Sequence, residues 1–235
     1  MRAEILFPEV CNLYGDLQNV YYLQRCCPSQ EIVETDLKSK PRFLEEDVTL
    51  VFMGSTTEQG LKLAADALRP YREAIAEKVD AGQLFLATGN ALDILGDAID
   101  SDAAERIDGL GLLPTQAEYH MMQRHNSFFV GKFEDMDIVG FKSLFGHSHG
   151  MGDALFDTVK GVGRDGTPQS GEGFRRGGLM ATYLIGPLLI LNPPLCKWLL
   201  RQMGADDTLA FEEAAMDSYR KRLSEFMEPG RSWKY

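Results

Sequence analysis

The chain has 235 residues, of which 44% are hydrophobic and 25% charged, an ordinary composition for a globular protein with one substantial core. Its net charge of -11 argues against nucleic-acid binding, which requires a basic surface. The apolar start "MRAEILFPEV" is interrupted too early to be a signal peptide, and the longest apolar run, "LMATYLIGPLLILNPPL", is too short to span a bilayer. We therefore expect a soluble cytoplasmic protein without membrane contact, acting on a small molecule or a protein partner.

Four short apolar runs in the first 90 residues predict buried strands of a parallel sheet. They are "EILFP" (4–8), "EIVETD" (31–36), "VTLVFMG" (48–54) and "QLFLATG" (83–89). Helical patterns lie between them. The first places Leu17, Val20 and Tyr21 on one face and stops at Pro28, and a longer one, broken at Pro70, ends at Gly82. Strands that alternate with helices predict a three-layer α/β sandwich.

The second half of the chain has a different pattern. Strand-like runs between glycine and aspartate turns predict antiparallel hairpins up to about residue 186, and "PPLCKWLLRQMG" predicts a short helix that opens on proline. The last segment, 205–227, has apolar residues at helical spacing: Leu209, Met216, Tyr219, Leu223 and Phe226. We expect one domain over residues 1–235, with 205–227 a C-terminal helix packed on it.

The four cysteines show no metal-binding or disulfide pattern. Cys11, Cys26, Cys27 and Cys196 lack CxxC spacing, and adjacent cysteines cannot pair without strain. We expect reduced and mostly buried thiols.

Ligands of open α/β sheets bind beyond the carboxyl ends of the strands, which points to "FMGSTTEQG" (52–60) and "ATGNALD" (87–93). Gly54 can present backbone N–H groups that stabilise an oxyanion. The stretch "FLATGNALDILG" (85–96) has the strand–turn–helix layout of a nucleophile elbow. Its turn, however, contains neither cysteine nor serine.

Several motifs resemble the CobB/CobQ-like class I glutamine amidotransferase family, and within it the glutaminase subunits of lipid II isoglutaminyl synthases. The most specific are "CNLYGDLQNVYYLQRC" (11–26) and "TYLIGPLL" (182–189). Weaker matches follow in order along nearly the whole chain: "VFMG" (51–54), "FLATGNALDILG" (85–96), "DGLGLL" (108–113) and "IVGF" (138–141). The resemblance implies a flavodoxin-like, class I amidotransferase fold with a mostly parallel sheet and added antiparallel hairpins.

The same resemblance implies glutamine hydrolysis by an elbow cysteine and a histidine, with ammonia passed to a partner enzyme. The cysteine position of the family falls on Gly89 and the histidine position on Ile185. Neither residue can attack an amide or accept a proton, so no intact catalytic residue is expected. The oxyanion and ligand-binding positions fall on Gly54, Ser55 and Asn90, and the substrate-holding arginine of the family on Arg124.

The resemblance therefore favours a non-catalytic subunit without a cofactor. Its expected partner is a Mur-ligase-like or other ATP-dependent amidating enzyme, acting on peptidoglycan lipid II or in a cobyric acid-type amidation. Glutamine or a related small molecule is a further expected ligand.

Two alternatives stay open. An active glutaminase would need a displaced nucleophile, for which Thr88 and Cys11 are the candidates. A metal-dependent hydrolase would use His147 and His149, which share one face of a strand, with Asp153 or with two further histidines, His120 and His125.

Overall fold

The computed structural model describes residues 1–230, which form thirteen strands and seven α-helices. The strands are β1 (Arg2–Leu6), β2 (Glu31–Thr35), β3 (Leu50–Met53), β4 (Leu84–Thr88), β5 (Ala98–Ser101), β6 (Ile107–Asp108), β7 (Thr115–Tyr119), β8 (His125–Phe133), β9 (Met136–Leu144), β10 (Gly146–Gly150), β11 (Asp157–Lys160), β12 (Phe174–Arg176) and β13 (Leu179–Thr182). The helices are α1 (Gln18–Cys26), α2 (Glu58–Leu68), α3 (Arg72–Asp80), α4 (Ala91–Ile94), α5 (Leu188–Leu191), α6 (Pro193–Gln202) and α7 (Glu212–Met227).

Six strands form the central sheet, in the order β12-β13-β4-β3-β1-β2. The five strands from β13 to β2 are parallel, and β12 joins β13 in the antiparallel sense. The predicted α/β fold with a mostly parallel sheet is confirmed. The expectation that every strand is buried was wrong for β2, which lies at the sheet edge and is largely half-exposed.

Helices cover both faces of this sheet, so alternate residues of one strand enter different cores. Val51 and Met53 of β3 pack with α2, α3 and α4, whereas Leu50 and Phe52 pack with α1, α5 and α6. Burial on both faces explains why the strand sequence is apolar without alternation. No helix within residues 1–230 is long and apolar enough to cross a membrane.

The remaining strands form two further sheets, of which the first is mixed because β5 and β7 pair in parallel. One has the order β10-β7-β5-β6, and the other has the order β11-β8-β9 around a long hairpin of β8 and β9. Helix α7 packs on that hairpin through a small cluster in which Tyr219 contacts Val130 and Val139. The hairpins predicted after Gly96 are therefore present.

Two local expectations were wrong. Tyr21 is 37% exposed, whereas the next residue, Tyr22, faces the core and donates its hydroxyl to the Ala210 carbonyl at 2.8 Å. The last helix begins at Glu212 rather than near residue 205, because Phe211 adopts the left-handed conformation (φ 56°) and ends the preceding turn.

Candidate functional site

The elbow expected at the end of β4 is present. β4 ends at Thr88, α4 begins at Ala91, and Gly89 between them has a φ of 60°. This left-handed conformation favours glycine and is the strained turn that exposes a nucleophile in enzymes built on such elbows. The backbone therefore has the shape of a nucleophile elbow although the residue at its apex has no side chain.

The space beside Gly89 is filled by two side chains. A Cβ atom added to Gly89 would lie 1.9 Å from Ser55 Oγ and 3.0 Å from Ile185 Cγ2, and real Cβ atoms do not approach other atoms to 1.9 Å. Ser55 follows β3, and Ile185 follows β13, so the two strands that flank β4 both contribute to this packing. The fold thus brings together Gly89, Ser55 and Ile185, which the sequence predicted for one site.

Ile185 is 5% exposed and is fixed by the β9 strand, because its backbone N–H donates to the Phe141 carbonyl at 3.0 Å. An isoleucine cannot accept a proton. The position beside the elbow therefore holds an apolar contact in place of a base.

The backbone amides of the segment after β3 are already bonded inside the protein. Ser55 N–H donates to Asp16 Oδ2 at 2.9 Å, and Thr56 N–H donates to Asn90 Oδ1 at 2.9 Å. The Asn90 amide returns a hydrogen bond to the Thr56 carbonyl at 2.8 Å. These two N–H groups are consequently not available to an oxyanion, which needs donors aimed at the reacting carbonyl.

Gly54, the other predicted oxyanion residue, has a packing role. A Cβ atom on it would lie 2.8 Å from the Cys11 carbonyl oxygen, so the close approach of the two backbones requires glycine. Gly54 is buried and does not line the cavity in front of the elbow.

A fully buried carboxylate, Asp16, holds the site together, and sequence reasoning missed it. Besides the Ser55 amide, it accepts the Ser55 hydroxyl at 2.6 Å, the Thr88 hydroxyl at 2.8 Å and the Gly186 N–H at 3.0 Å. Burial raises the pKa of Asp16, and the hydrogen bonds from Ser55 act against that rise. The only signal was its place in the "NLYGD" motif, because nothing in a sequence shows that a carboxylate is buried.

Asp16→Asn is expected to lower the free energy of unfolding by about 2–4 kcal/mol, since the new amide would point at donors and leave buried groups unpaired. Urea denaturation measures this effect. Asp135→Asn, at an exposed position, is the matched control and is expected to change stability by less than about 0.5 kcal/mol. Equal stability of the Asp16 variant and the control would contradict the role given to Asp16.

The displaced nucleophile candidates are both buried and engaged. Thr88 is fully buried, and its hydroxyl donates to Asp16. Cys11 is also fully buried, and burial raises the pKa of its thiol to about 12, so the thiol is neutral near pH 7. Neither side chain has the exposed, activated form that nucleophilic catalysis requires.

A cavity of about 130 Å³ remains in front of the elbow. Its walls include Tyr14 and Glu58 together with Ser55, Asn90 and Arg124, so three of the four predicted ligand-binding residues reach it. The guanidinium of Arg124 lies 4.5 Å from the centre of the Phe145 ring, which also lines the cavity. The cavity therefore offers a cation, a carboxylate and an amide beside a position that carries no nucleophile.

Behind the cavity lies a second buried carboxylate, Asp93, which the sequence did not indicate. It accepts hydrogen bonds from the hydroxyls of Tyr119 at 2.6 Å, Ser148 at 2.7 Å and Tyr183. Burial raises the pKa of Asp93 to about 6, against the lowering effect of these hydroxyls. Because Tyr119 and Tyr183 also line the cavity, Asp93 fixes the back wall.

A fully buried ion pair, Lys142 with Glu172, supports the same wall. Glu172 accepts the Tyr183 N–H at 2.7 Å, and Lys142 donates to the Val162 and Gly163 carbonyls at 2.7 and 3.0 Å. Burial lowers the pKa of Lys142, and its carboxylate partner opposes this. The pair anchors the glycine-rich loop after β11, which is a structural loop here.

The histidine candidates do not assemble a metal site. His147 and His149 lie on β10, and the His147 ring packs edge-on against His125 with 5.2 Å between centroids. Asp153 pairs instead with the backbone of Arg175, and the remaining histidine, His120, lies 3.6 Å from the Asp102 carboxylate. Among residues 1–230 no group of three or more potential ligands could hold a metal ion.

Comparison with known proteins gives the following relationships. No family model matches the chain. The chain is 25% identical over 211 residues to the lipid II isoglutaminyl synthase (glutamine-hydrolyzing) subunit GatD of Staphylococcus aureus strain N315, covering 88% of this chain and 86% of the relative. It is 26% identical over 236 residues to the corresponding subunit of Streptococcus pneumoniae strain ATCC BAA-255 / R6, covering 94% and 89%.

Similarity in three dimensions agrees with these relationships. A crystal structure of a glutamine amidotransferase superposes with a TM-score of 0.58 at 14% identity, covering 86% of this chain and 99% of that one. At this identity the match shows the fold alone. The predicted resemblance to amidotransferases is confirmed in both fold and sequence relationship.

Proposed function

We propose that this homologue of GatD subunits, which has the glutamine amidotransferase fold, is a non-catalytic subunit that serves as a binding or scaffolding module. One observation carries the proposal: the side chains of Ser55 and Ile185 fill the space where an elbow side chain at position 89 would stand. Amide hydrolysis requires a nucleophile and a base, which Gly89 and Ile185 do not provide, and the Ser55 and Thr56 N–H groups are already bonded within the protein.

The proposed partner is a Mur-ligase-like or other ATP-dependent amidating enzyme. The curated relatives are named as subunits of a lipid II isoglutaminyl synthase, which supports a role in peptidoglycan lipid II amidation, with cobyric acid-type amidation as the alternative. In such a complex this chain would act in the cytoplasm and the ligase would draw ammonia from solution. A fold alone does not determine a function, so the partner has to be identified directly.

The remaining cavity supports a second role, binding glutamine or a related small molecule without turnover. Arg124 and Glu58 carry opposite charges on its walls, which matches the charges of a free amino acid. The occupancy of the cavity would then depend on the concentration of the amino acid, and the partner would respond to that occupancy without any release of ammonia.

The decisive experiment is co-purification of the tagged chain from its native organism, followed by an assay of ammonia release from glutamine. The assay uses the chain alone and with the captured partner, and the Staphylococcus aureus relative serves as the active control. We expect no ammonia above a blank in either case. Turnover above the blank would overturn the proposal, and stoichiometric labelling of Cys11 or Thr88 by a glutamine-like affinity reagent would identify the displaced nucleophile. Calorimetric titration with glutamine in the same samples separates binding from hydrolysis.

A further inference from the structure

A pocket of about 230 Å³ lies at the end of the central sheet opposite the elbow. It borders Leu84, the first residue of β4, and Gly178, the residue before β13, whereas Gly89 follows the last residue of β4. Trp198 and Gln202 of α6 form its other side. The length of β4 therefore separates this pocket from the elbow cavity, and the two share no lining residue.

Arg175 of β12 brings a positive charge to this pocket. Its guanidinium carbon lies 5.3 Å from the centre of the Phe133 ring and 5.7 Å from the centre of the Trp198 ring. The two rings pack edge-on, with 4.9 Å between their centres. The Arg175 backbone N–H donates to the Asp153 carbonyl at 2.9 Å. These contacts restrict the guanidinium before any ligand arrives, so little side-chain entropy is lost on binding.

The Arg175 guanidinium has unused hydrogen-bond donors. The nearest carboxylate, that of Glu134, is 4.0 Å away, which is too far for a hydrogen bond, and the two side chains are 40% and 53% exposed. Among residues 1–230, no group accepts a hydrogen bond from this guanidinium. The neighbouring Arg176 differs, because Asp80 and the Leu112 carbonyl accept its hydrogen bonds at 2.6–3.0 Å. Arg175 is therefore free to bind an anion and Arg176 is not.

The rest of the pocket indicates the class of ligand. The side-chain amide of Gln202 forms no hydrogen bond with the described part of the chain, so it can donate to a second oxygen of an anion. Leu84, Met180 and Trp198 add an apolar surface. One guanidinium and one amide match the single charge and two oxygens of a carboxylate, whereas a phosphate dianion would bring a second charge that this pocket does not balance.

The end of α6 opposes an anion only weakly. Gln202 is the last residue of that helix, and the carbonyls at a helix C-terminus carry partial negative charge. The N–H groups of Met203, Gly204 and Ala205 bond to carbonyls of the last turn, which reduces this charge. A hydrogen bond between a guanidinium and a carboxylate is stronger than the interaction with a helix end, so the attraction by Arg175 prevails.

We propose that this pocket binds a small carboxylate that carries an apolar or aromatic group. Arg175 and Gln202 hold the carboxylate oxygens, and Trp198 packs against the apolar group. The site uses no residue of the elbow, so it is independent of the proposed loss of glutaminase activity. Because only the folded chain forms the pocket, the ligand also raises the Tm.

The test titrates phenylacetate into the Trp233→Phe variant, in which Trp198 is the single remaining tryptophan, and follows both its fluorescence and the heat of binding. We expect saturable binding with a Kd on the order of 1 mM or below. Phenylacetamide lacks the charge and acetate lacks the ring, so each is expected to bind about tenfold more weakly or worse. Phenyl phosphate is also expected to bind more weakly than phenylacetate.

Three outcomes of these titrations would overturn the proposal. One is equal affinity for phenylacetate and phenylacetamide, which would leave the cation without a role. Another is tighter binding of phenyl phosphate, which would exclude a carboxylate site. The third is the absence of saturation by phenylacetate well above the expected Kd.

Variants assign the binding to this pocket. Arg175→Gln is expected to weaken phenylacetate binding by about ten- to a hundredfold, and Arg175→Lys to recover part of the loss, since lysine keeps the charge without the planar fork. Glu134→Gln is expected to tighten binding, because it removes a carboxylate that competes for Arg175. Arg220→Gln, at a side chain of α7 that is 66% exposed, is the matched control and is expected to leave the Kd unchanged.

Thermal melts without ligand show whether each variant is folded. Parent affinity in a folded Arg175→Gln variant would contradict the proposal. Weaker binding in the folded Glu134→Gln variant would contradict it as well, since the ligand would then not replace that carboxylate beside Arg175.

Discussion

Gly89→Cys is expected to destabilise the protein and to yield no glutaminase activity, although it places a thiol at the apex of the elbow. The new side chain would adopt a left-handed φ of 60° and would collide with Ser55 Oγ. Backbone strain of about 1–3 kcal/mol and a comparable cost of overpacking give an expected loss of about 2–6 kcal/mol in the free energy of unfolding. Urea denaturation measures the loss, and ammonia release measures activity.

A matched control separates strain from collision. Gly204 has a φ of 76° and nothing within 4 Å of an added Cβ atom, so Gly204→Cys carries the strain alone. We expect it to lose about 1–2 kcal/mol. If Gly89→Cys were as stable as Gly204→Cys, the collision with Ser55 would be absent.

A series of combined variants then adds Ser55→Gly and Ile185→His, one after the other, to Gly89→Cys. Adding Ser55→Gly is expected to recover part of the free energy of unfolding lost in Gly89→Cys. The Ser55→Gly single variant completes the double-mutant cycle, which measures the coupling between the two positions. We expect no ammonia release above the blank before all three changes are combined, because a thiol needs both space and an adjacent base. Activity in Gly89→Cys alone would show that the three positions are not coupled.

Two groups, the buried Asp93 and the half-buried His147, are expected to give opposing pH dependences of stability between about pH 4 and pH 6.5. The first is Asp93, which faces Tyr119, Tyr183, Ser148 and Glu172. Its pKa is about 6 in the folded protein and about 3.9 in an unfolded chain. The folded state therefore holds the proton more tightly, and the free energy of unfolding falls as the pH rises from 4 to 6, by about 3 kcal/mol in all.

The second group is His147, which faces His125, Lys142, His149 and Asp165. Burial lowers its pKa to about 4, whereas an unfolded histidine titrates near 6.5. Below pH 6.5 the unfolded state takes up the proton first, so the free energy of unfolding rises as the pH rises from 4 to 6.5. The contributions of Asp93 and His147 therefore oppose each other in the parent protein.

Denaturant titrations at intervals between pH 4.5 and 7.5 test this balance. Relative to the parent, Asp93→Asn is expected to make stability rise more steeply with pH, and His147→Gln to make it fall. Met122→Leu, at a residue that is 93% exposed and carries no titratable group, is the control and is expected to leave the slope unchanged. Parallel slopes for the Asp93 and His147 variants would contradict the assignment.

The fold could be predicted because its signals are local. Continuous apolar runs such as 48–54 and 83–89 are typical of strands covered on both faces, and glycine or proline marks where they end. Parallel strands bring their carboxyl ends to one edge, so Ser55 and Gly89 could be placed together from the sequence pattern. Ile185 was assigned to the same site only by the resemblance to amidotransferases. The error at Tyr21 arose because Tyr21 and Tyr22 both fit an amphipathic pattern, and only tertiary packing selects the inner one.

The polar framework behind the site could not be predicted. Asp16, Asp93 and the Lys142–Glu172 pair are charged residues in segments that read equally well as surface, and charge ordinarily indicates exposure. Their burial depends on hydroxyl and amide partners from distant parts of the chain, such as Tyr183 for Asp93.

The four hydrogen bonds of Asp16 also bear on how this protein meets a partner. They join the loop before α1, the turns after β3 and β13, and the end of β4, so these segments cannot open one at a time without stranding a buried carboxylate. The surface around the elbow is thus ordered before any encounter. A partner that docks there loses little conformational entropy from this chain, so more of its contact energy appears as affinity.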